Sequence, residues 1–403
     1  MSLVPSIDEQ IRTISRRCER IVPESDLRAK LERSAKTGKP LRVKLGMDPT
    51  APDVHLGHAV PLKVVRQFQD WGHKAVIIIG DSTARVGDPT GRNKMRPQLS
   101  GDEIDANAKT YVVQVGKILL TDPEHLEIRY NSEWLGRMGL VDIIKLASRK
   151  TVAQTLARED FAKRYADQTD IGLHEILYPL LQGWDSVAIS ADIEMGGSDQ
   201  LFNNLVGREF QKEDSPSDPL AGQVVIVTPL LVGTDGSAKM SKSKGNYIGV
   251  TENPREMFGK IMSLPDAVMA TYYALLTELP EREYRSMIES NPRDAKVALA
   301  KQVIGWLHSP EAGQSAEDEF NRVFKQGGLP DDMPEITAGA GPHRIAPLIV
   351  KAGLASSNSE AIRKVREGAV SLDGKKVASE KDEITLAAPT VLKIGRKFAR
   401  LTP

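Results

Sequence analysis

Two short stretches with β-branched apolar positions, Leu41–Met47 and Lys74–Gly80, end on loop residues and read as strands. Between them, Leu56–Trp71 carries its apolar positions at helical spacing. A strand–helix–strand unit predicts the start of a parallel α/β sheet. Leu126–Asn131, Asp192–Met195 and Val224–Val232 are further strand candidates, with Gly172–Val187 and Gln200–Gln211 helical between them. The alternation predicts an α/β body over residues 35–235 with a helical insertion at 133–190. From Pro254 to Gln326 strand signals vanish, and Asp294–His308 and Glu311–Phe324 keep helical patterning. The Gly, Pro and acidic residues of Gly327–Pro342 read as a linker. Beyond it, Ile345–Ala352 and Ser359–Glu367 read as short helices, and Val370–Val377 as a hairpin turning at Asp373-Gly374. The predicted division is an α/β domain over 1–245, an all-helical domain over 246–330, a linker over 331–341 and a small α+β domain over 342–403.

Composition changes this picture in two places. The chain has 403 residues, enough for two or three domains, and its 40% hydrophobic and 27% charged content is ordinary for a globular protein. Net charge is zero overall, but Gly341–Pro403 holds 12 Lys and Arg against 6 Asp and Glu, a net +6 that leaves −6 on the rest. A basic tail on an acidic body suits contact with a phosphate backbone, and equally a merely soluble basic domain. The single cysteine, Cys18, rules out an internal disulfide and fits a reducing cytoplasm. Met1–Gln10 is polar and acidic, so no secretory leader is expected, and no apolar run approaches membrane-spanning length.

No Walker-type loop occurs, and no G-x-G-x-x-G follows the first strand. Phosphate chemistry would therefore rest on two other stretches. His55-Leu56-Gly57-His58 opens the helix after the first strand. There, unpaired N–H groups and two imidazoles three positions apart can meet phosphate oxygens, and Gly57 would let a nucleotide approach the backbone. Lys239-Met240-Ser241-Lys242-Ser243 follows the last strand of the body, behind Gly233-Thr234-Asp235-Gly236. Lysines on such a loop can close over a triphosphate and neutralise departing pyrophosphate. Taken singly, the first stretch suits a structural histidine pair and the second a solvated basic loop. On helix 172–187, Tyr178, Gln182 and Asp185 share a polar face opposite Leu173, Leu177, Leu180 and Trp184.

Together, H-x-G-H after the first strand and K-M-S-K-S after the last resemble the paired signature of class I aminoacyl-tRNA synthetases. Gly46-Met47-Asp48-Pro49-Thr50, Gly87-Asp88-Pro89-Thr90-Gly91-Arg92, Tyr178-x-x-x-Gln182-x-x-Asp185 and Gly196-Gly197-Ser198-Asp199-Gln200 are similar to motifs of the tyrosyl-tRNA synthetase family. The likeness runs over essentially the whole chain. Tryptophanyl-tRNA synthetases share a similar Tyr–Gln–Asp helix, so the Gly-Gly-Ser-Asp-Gln stretch and the basic tail carry the distinction. A catalytically idle RNA-binding protein remains the rival from another class.

The resemblance implies a Rossmann-like parallel-sheet catalytic domain, a helical anticodon-binding domain and an S4-like C-terminal module. It implies that His55, His58, Lys239 and Lys242 stabilise the transition state, with Gly57, Ser243, Asp48, Thr50 and Asp199 also on the ATP side. Thr83 matches a nucleotide-side or loop-supporting position. Asp88, Tyr178 and Gln182 would hold the tyrosine ammonium, Asp185 the phenol hydroxyl and Gln200 the carboxylate. Arg92 and Arg96 match basic residues of a phosphate-side loop. Arg363, Lys364 and Arg366 would meet RNA phosphates. Many members of the family keep a tyrosine where this chain has Lys44, and Lys44 is left out of the expected site. The implied partners are L-tyrosine, ATP with Mg²⁺ and tRNA(Tyr), with no prosthetic group, no resident metal and no membrane. A cytoplasmic homodimer with its contact in the insertion is expected.

Overall fold

A computed structural model of the chain describes residues 4–89, 100–325, 333–339, 341–395 and 397–403. Backbone contacts divide it into two compact units, Met1–Glu317 and Asp318–Pro403.

The first unit is built on six strands, β1 (Arg20–Val22), β2 (Arg42–Met47), β3 (Lys74–Ile79), β4 (Leu126–Tyr130), β5 (Ile193–Gly197) and β6 (Val224–Thr228), in the order β1-β6-β5-β2-β3-β4. The five longer strands run parallel, as the alternation predicts. The apolar side chains of β2, β3, β5 and β6, Val43, Leu45, Val76, Ile77, Ile193 and Val225 among them, are buried, because helices cover a parallel sheet on both faces. β1 was not expected. It adds an antiparallel edge beside β6, and a three-residue, half-exposed strand leaves little period to read. Val224–Val232 is shorter than expected and ends at Thr228, since Pro229 removes a ladder donor.

Helix Leu56–Asp70 buries Val60, Val64, Val65 and Phe68. Helix Leu173–Ala188 packs along helix Leu201–Asp214, with Leu180, Val206 and Phe210 in one apolar cluster. That contact corrects the extent of the insertion. Helices Ser132–Leu135, Leu140–Ala147, Val152–Leu156 and Glu159–Ala166 form it, whereas Leu173–Ala188 belongs to the body it packs against.

Helices Pro254–Met262, Met269–Leu276, Glu281–Ser290 and Pro292–Leu307 form the expected all-helical stretch, and a fifth helix runs over Pro310–Lys325. The stretch is not separated from the α/β body at 245/246. Arg17 donates to the Thr277 carbonyl at 2.7 Å, Lys63 pairs with Glu278 at 3.0 Å, and Lys63 also lies 4.3 Å from the Trp306 ring centre. These ties join segments far apart in sequence.

The second unit holds β7 (Glu335–Thr337), β8 (Gly341–Arg344), β9 (Val370–Leu372), β10 (Lys375–Lys376), β11 (Glu383–Leu386), β12 (Thr390–Ile394) and β13 (Lys397–Thr402). They form a five-stranded sheet, β10-β9-β12-β13-β7, and a β11-β8 pair. Helices Ile345–Lys351 and Asn358–Arg366 pack Ile345, Leu348, Ala361 and Val365 against Leu392 and Leu401. The hairpin turns at Asp373 and Gly374, both at positive φ (45° and 81°), which fits Asp-Gly in a two-residue turn. The expected linker 331–341 is corrected: Glu335–Thr337 pairs in parallel with β13 as an edge strand, and Gly341 opens β8. Only Ile336 of that edge strand is apolar, so composition alone resembled a linker.

Gly183 makes the close approach of helices 173–188 and 201–214 possible. A Cβ there would stand 2.8 Å from Val206 Cγ1 and 3.1 Å from the Gly207 nitrogen. Gly183→Val is expected to lose about 1–3 kcal/mol, read as a lower urea midpoint. Gly259→Ala, where a Cβ meets nothing within 4 Å, is the control and is expected to gain about 0.5–1 kcal/mol.

Candidate active site

At the carboxyl ends of β2 and β5, where the strand order reverses, a cavity of about 1190 Å³ opens. Fifteen of the candidate residues of the α/β body line it: Asp48, Thr50, His55, Gly57, His58, Thr83, Asp88, Tyr178, Gln182, Asp185, Asp199, Gln200, Lys239, Lys242 and Ser243.

One end is built from the turn that opens helix Leu56–Asp70. The His55 and His58 rings stack with centres 3.8 Å apart, and the His55 backbone N–H donates to His58 Nδ1 at 3.3 Å. A neutral His58 therefore carries its proton on Nε2. Burial, aided by Lys242 and Lys239, pushes His55 down to about 3. Burial, then the charges of His55, Lys242 and Lys239, holds His58 well below its ordinary value. Both imidazoles are neutral at pH 7 and act as hydrogen-bonding groups. His55 Nδ1 is buried with no hydrogen-bond partner among the described residues. A Cβ at Gly57 would stand 2.9 Å from His55 Cε1, so glycine lets the imidazole lie over the turn.

The lysine loop closes this end. Lys239 pairs with Asp199 Oδ2 at 2.8 Å, and Lys242 donates to Tyr111 Oη at 2.8 Å and to the Ala51 carbonyl at 3.1 Å. Ser241 and Ser243 share a hydroxyl contact at 2.9 Å. The preceding glycine-rich stretch is tied down: Asp235 accepts from the Ser237 and Ala238 N–H groups, each at 3.0 Å, and from Asn246 at 2.6 Å. Asn246 in turn accepts from the Ser241 N–H at 2.8 Å.

The other end is an amide–carboxylate network. Tyr178 donates its hydroxyl to Asp48 Oδ2 at 2.9 Å, and Thr83 donates to Asp48 Oδ1 at 2.7 Å. Asp48 thus braces Tyr178, and the pairing of β2 with β3 brings it to Thr83 at their ends. Burial and the charges of Asp48 and Asp88 keep the Tyr178 phenol protonated. Gln200 donates to Asp88 Oδ2 at 2.9 Å. Asn203 donates to the side-chain carbonyls of Gln182 and Gln200, both at 3.0 Å. Asn203 also accepts from Arg158 at 3.2 Å, and the Arg158 guanidinium lies 3.6 Å from Asp88.

Asp185 is buried at the cavity wall. Trp134 Nε1 donates to its Oδ1 at 2.8 Å and Asn131 to its Oδ2 at 3.3 Å. Burial pushes Asp185 up to about 6, opposed by Lys44 and by the Trp134 and Asn131 bonds, and Glu194 adds to the rise. Lys44 does not line the cavity.

Sequence reasoning missed Asn131, Trp134, Arg158, Asn203 and Glu194. Asn203 and Asn204, three and four positions after Gln200 on a helix, were the one readable signal. Arg92 and Arg96 lie outside the described residues. In the second unit, Arg363, Lys364 and Arg366 stand on helix Asn358–Arg366, each near an acid: Glu367 at 3.8 Å, Glu367 at 2.9 Å and Glu380 at 2.8 Å.

Comparison with known proteins bears on this geometry. Residues 36–325 match the family described as "tRNA synthetases class I (W and Y)", and residues 324–397 match the "Tyrosine--tRNA ligase SYY-like C-terminal domain". The tyrosine–tRNA ligase of Moorella thermoacetica is 50% identical over 406 residues, covering 99% of this chain and 97% of that protein. That of Bordetella pertussis is 48% identical over 412 residues, with the same coverage of 99% and 97%. Among solved structures, the tyrosyl-tRNA synthetase of Archaeoglobus fulgidus complexed with L-tyrosine aligns with a TM-score of 0.60 at 25% identity, over 77% of this chain and 99% of that one. A C-terminally truncated mitochondrial tyrosyl-tRNA synthetase of Aspergillus nidulans shares the fold with a TM-score of 0.64 at 24% identity, over 79% of this chain and 94% of that one. With its fold, its cavity and both matched regions in agreement, the chain belongs to the class I tyrosyl-tRNA synthetases, the ligases that join tyrosine to tRNA for translation.

Proposed function

We propose that tyrosine activation proceeds in this cavity by positioning and charge stabilisation, with no enzyme nucleophile. The tyrosine carboxylate attacks the α-phosphorus of Mg²⁺·ATP in line. The bond to the bridging oxygen breaks and pyrophosphate leaves, giving tyrosyl-adenylate. A ribose hydroxyl of the terminal adenosine of tRNA(Tyr) then attacks the carbonyl, and AMP departs. The observation that carries this reading is the two-ended cavity. Neutral imidazole donors and lysines gather at one end, and carboxylates and amides at the other.

In this reading His55, His58, Lys239 and Lys242 meet the phosphates, and Gly57, Thr50 and Ser243 line their approach. Asp199 binds the ribose, for which its present partner Lys239 must swing onto phosphate. Asp88, Gln182 and Tyr178 surround the ammonium, with Asp48 bracing Tyr178. Gln200 meets the carboxylate and Asp185 accepts from the phenol. Mg²⁺ travels with the nucleotide as part of the substrate. No group of three His, Cys, Asp or Glu side chains among the described residues is arranged to hold an ion of its own.

Residues 1–245 are read as catalytic, 246–330 as the anticodon-binding stretch and 342–403 as an RNA-binding module using Arg363, Lys364 and Arg366. A homodimer is proposed through the insertion. Six of the nine exposed large hydrophobic side chains among the described residues, Leu140, Val141, Ile144, Val152, Tyr165 and Leu173, lie between residues 140 and 173. A cytoplasmic location is proposed from the translational role. No described helix is long and apolar enough to cross a membrane.

Lys242→Ala is expected to lower tyrosine-dependent ATP–pyrophosphate exchange by about 100-fold or more, with the tyrosine dissociation constant nearly unchanged. Equal loss of both would count against a transition-state role. Ile144→Asp places a charge in the proposed contact and is expected to give monomers in sedimentation equilibrium at micromolar concentration. An undisturbed dimer would move the contact elsewhere.

A further inference from the structure

Lys44 and Glu194 face each other across the β2–β5 seam as register partners, and their side chains are 0% and 1% exposed. Lys44 Nζ stands 2.8 Å from Glu194 Oε1, donates to Ser186 Oγ at 2.8 Å and to the Gln182 backbone carbonyl at 3.0 Å. Ser186 donates to Glu194 Oε2 at 3.0 Å, and Gln223 donates to the same oxygen. Two apolar side chains could fill this space without the cost of desolvating two ions. The pair's neighbours suggest another use. The helical turn it grips, Gln182–Ser186, carries Gln182 and Asp185 on the cavity wall.

We propose that Lys44 and Glu194 are positioning residues for tyrosine specificity. Lys44 anchors the turn that carries Gln182 and Asp185, and it supplies the positive charge that keeps Asp185 an acceptor for the phenol hydrogen. The inference rests on the reading of Asp185 given above. An ionised Asp185 attracts the phenol O–H and is left buried without that partner when phenylalanine binds. A protonated Asp185 does both less well. Each Asp185 oxygen already accepts one bond, from Trp134 or Asn131, and each has room for a second.

The groups facing Asp185 come from several elements. Lys44 comes from β2, Glu194 from β5, Asn131 and Trp134 from the segment after β4, and Tyr178, bonded to Asp48, from its own helix. Lys44 and Glu194 act on the carboxyl with opposite sign, Lys44 favouring the ion and Glu194 opposing it. As pH falls through about 6, Asp185 takes up a proton and tyrosine affinity falls with it. Removing the Lys44 charge moves that loss to higher pH. Removing both charges together still moves it to higher pH, because Lys44 is the larger of the two influences on Asp185.

The test is the dissociation constant of the full chain for tyrosine and for phenylalanine from pH 5 to 8. Four proteins are compared: wild type, the double variants Lys44→Gln/Glu194→Gln and Lys44→Met/Glu194→Leu, and Asp185→Asn. Either single change would orphan a buried ion, so the double variants replace the pair by neutral groups. If one double variant fails to fold, the other carries the test. In the double variants the acid limb of tyrosine binding is expected to move up by about one unit. Their preference for tyrosine over phenylalanine at pH 6.5 should then fall roughly threefold. A limb that stays put or moves down overturns the proposal, provided Asp185→Asn abolishes the limb. If Asp185→Asn keeps both the limb and the preference, the reading of Asp185 itself is what fails.

Discussion

Strands β2 and β5 lie side by side in parallel, with Val43 beside Ile193, Lys44 beside Glu194 and Leu45 beside Met195. From that seam the sheet grows in two directions, to β3 and β4 on one side and to β6 and β1 on the other. No single connection covers the carboxyl ends of the two central strands, and the cavity opens there. Much of the cavity's lining is delivered to this opening by segments that leave or return at it. The histidine turn follows β2, the Thr83 turn follows β3, Asp199 and Gln200 follow β5, and the lysine loop follows β6.

Burial acts on three sets of ionisable groups around this opening, with different results. At the histidine turn the nearest charges are the lysines Lys239 and Lys242, so burial and Coulomb repulsion act together and the imidazoles stay neutral. At Asp185, burial works against a cation and two hydrogen bonds, which leaves the carboxyl able to titrate near pH 6. Lys44 and Glu194 are the most deeply enclosed, and each is the other's main compensation. An isolated charge in that position would cost several kcal/mol, so the two residues have to be present together.

Shape is set by small residues at two places where partners come close. Gly183 lets helix 173–188 approach helix 201–214, which brings Gln182 within reach of Asn203. Gly57 lets the His55 ring fold back over its own helix start. In both cases the glycine makes room for another protein group.

The sequence by itself determined the elements whose signals are local. The parallel strands, the helix behind His55 and the Asp373-Gly374 hairpin follow from period and turn chemistry over a few residues. For the residues that line the cavity no local period existed, and the resemblance of their motifs to a family pointed to them. Two edge strands were hidden, since Arg20–Val22 and Glu335–Thr337 are only three residues long and bury too little to show a period. Only the tertiary structure decided what each site residue touches. Trp134 and Asn131 reach Asp185 across 51 and 54 residues of chain, Arg17 reaches Thr277 across 260, and Lys44 finds Glu194 only because β2 pairs with β5. Such partners are chosen by strand order and helix packing, which bring distant segments together without leaving a local pattern in either one.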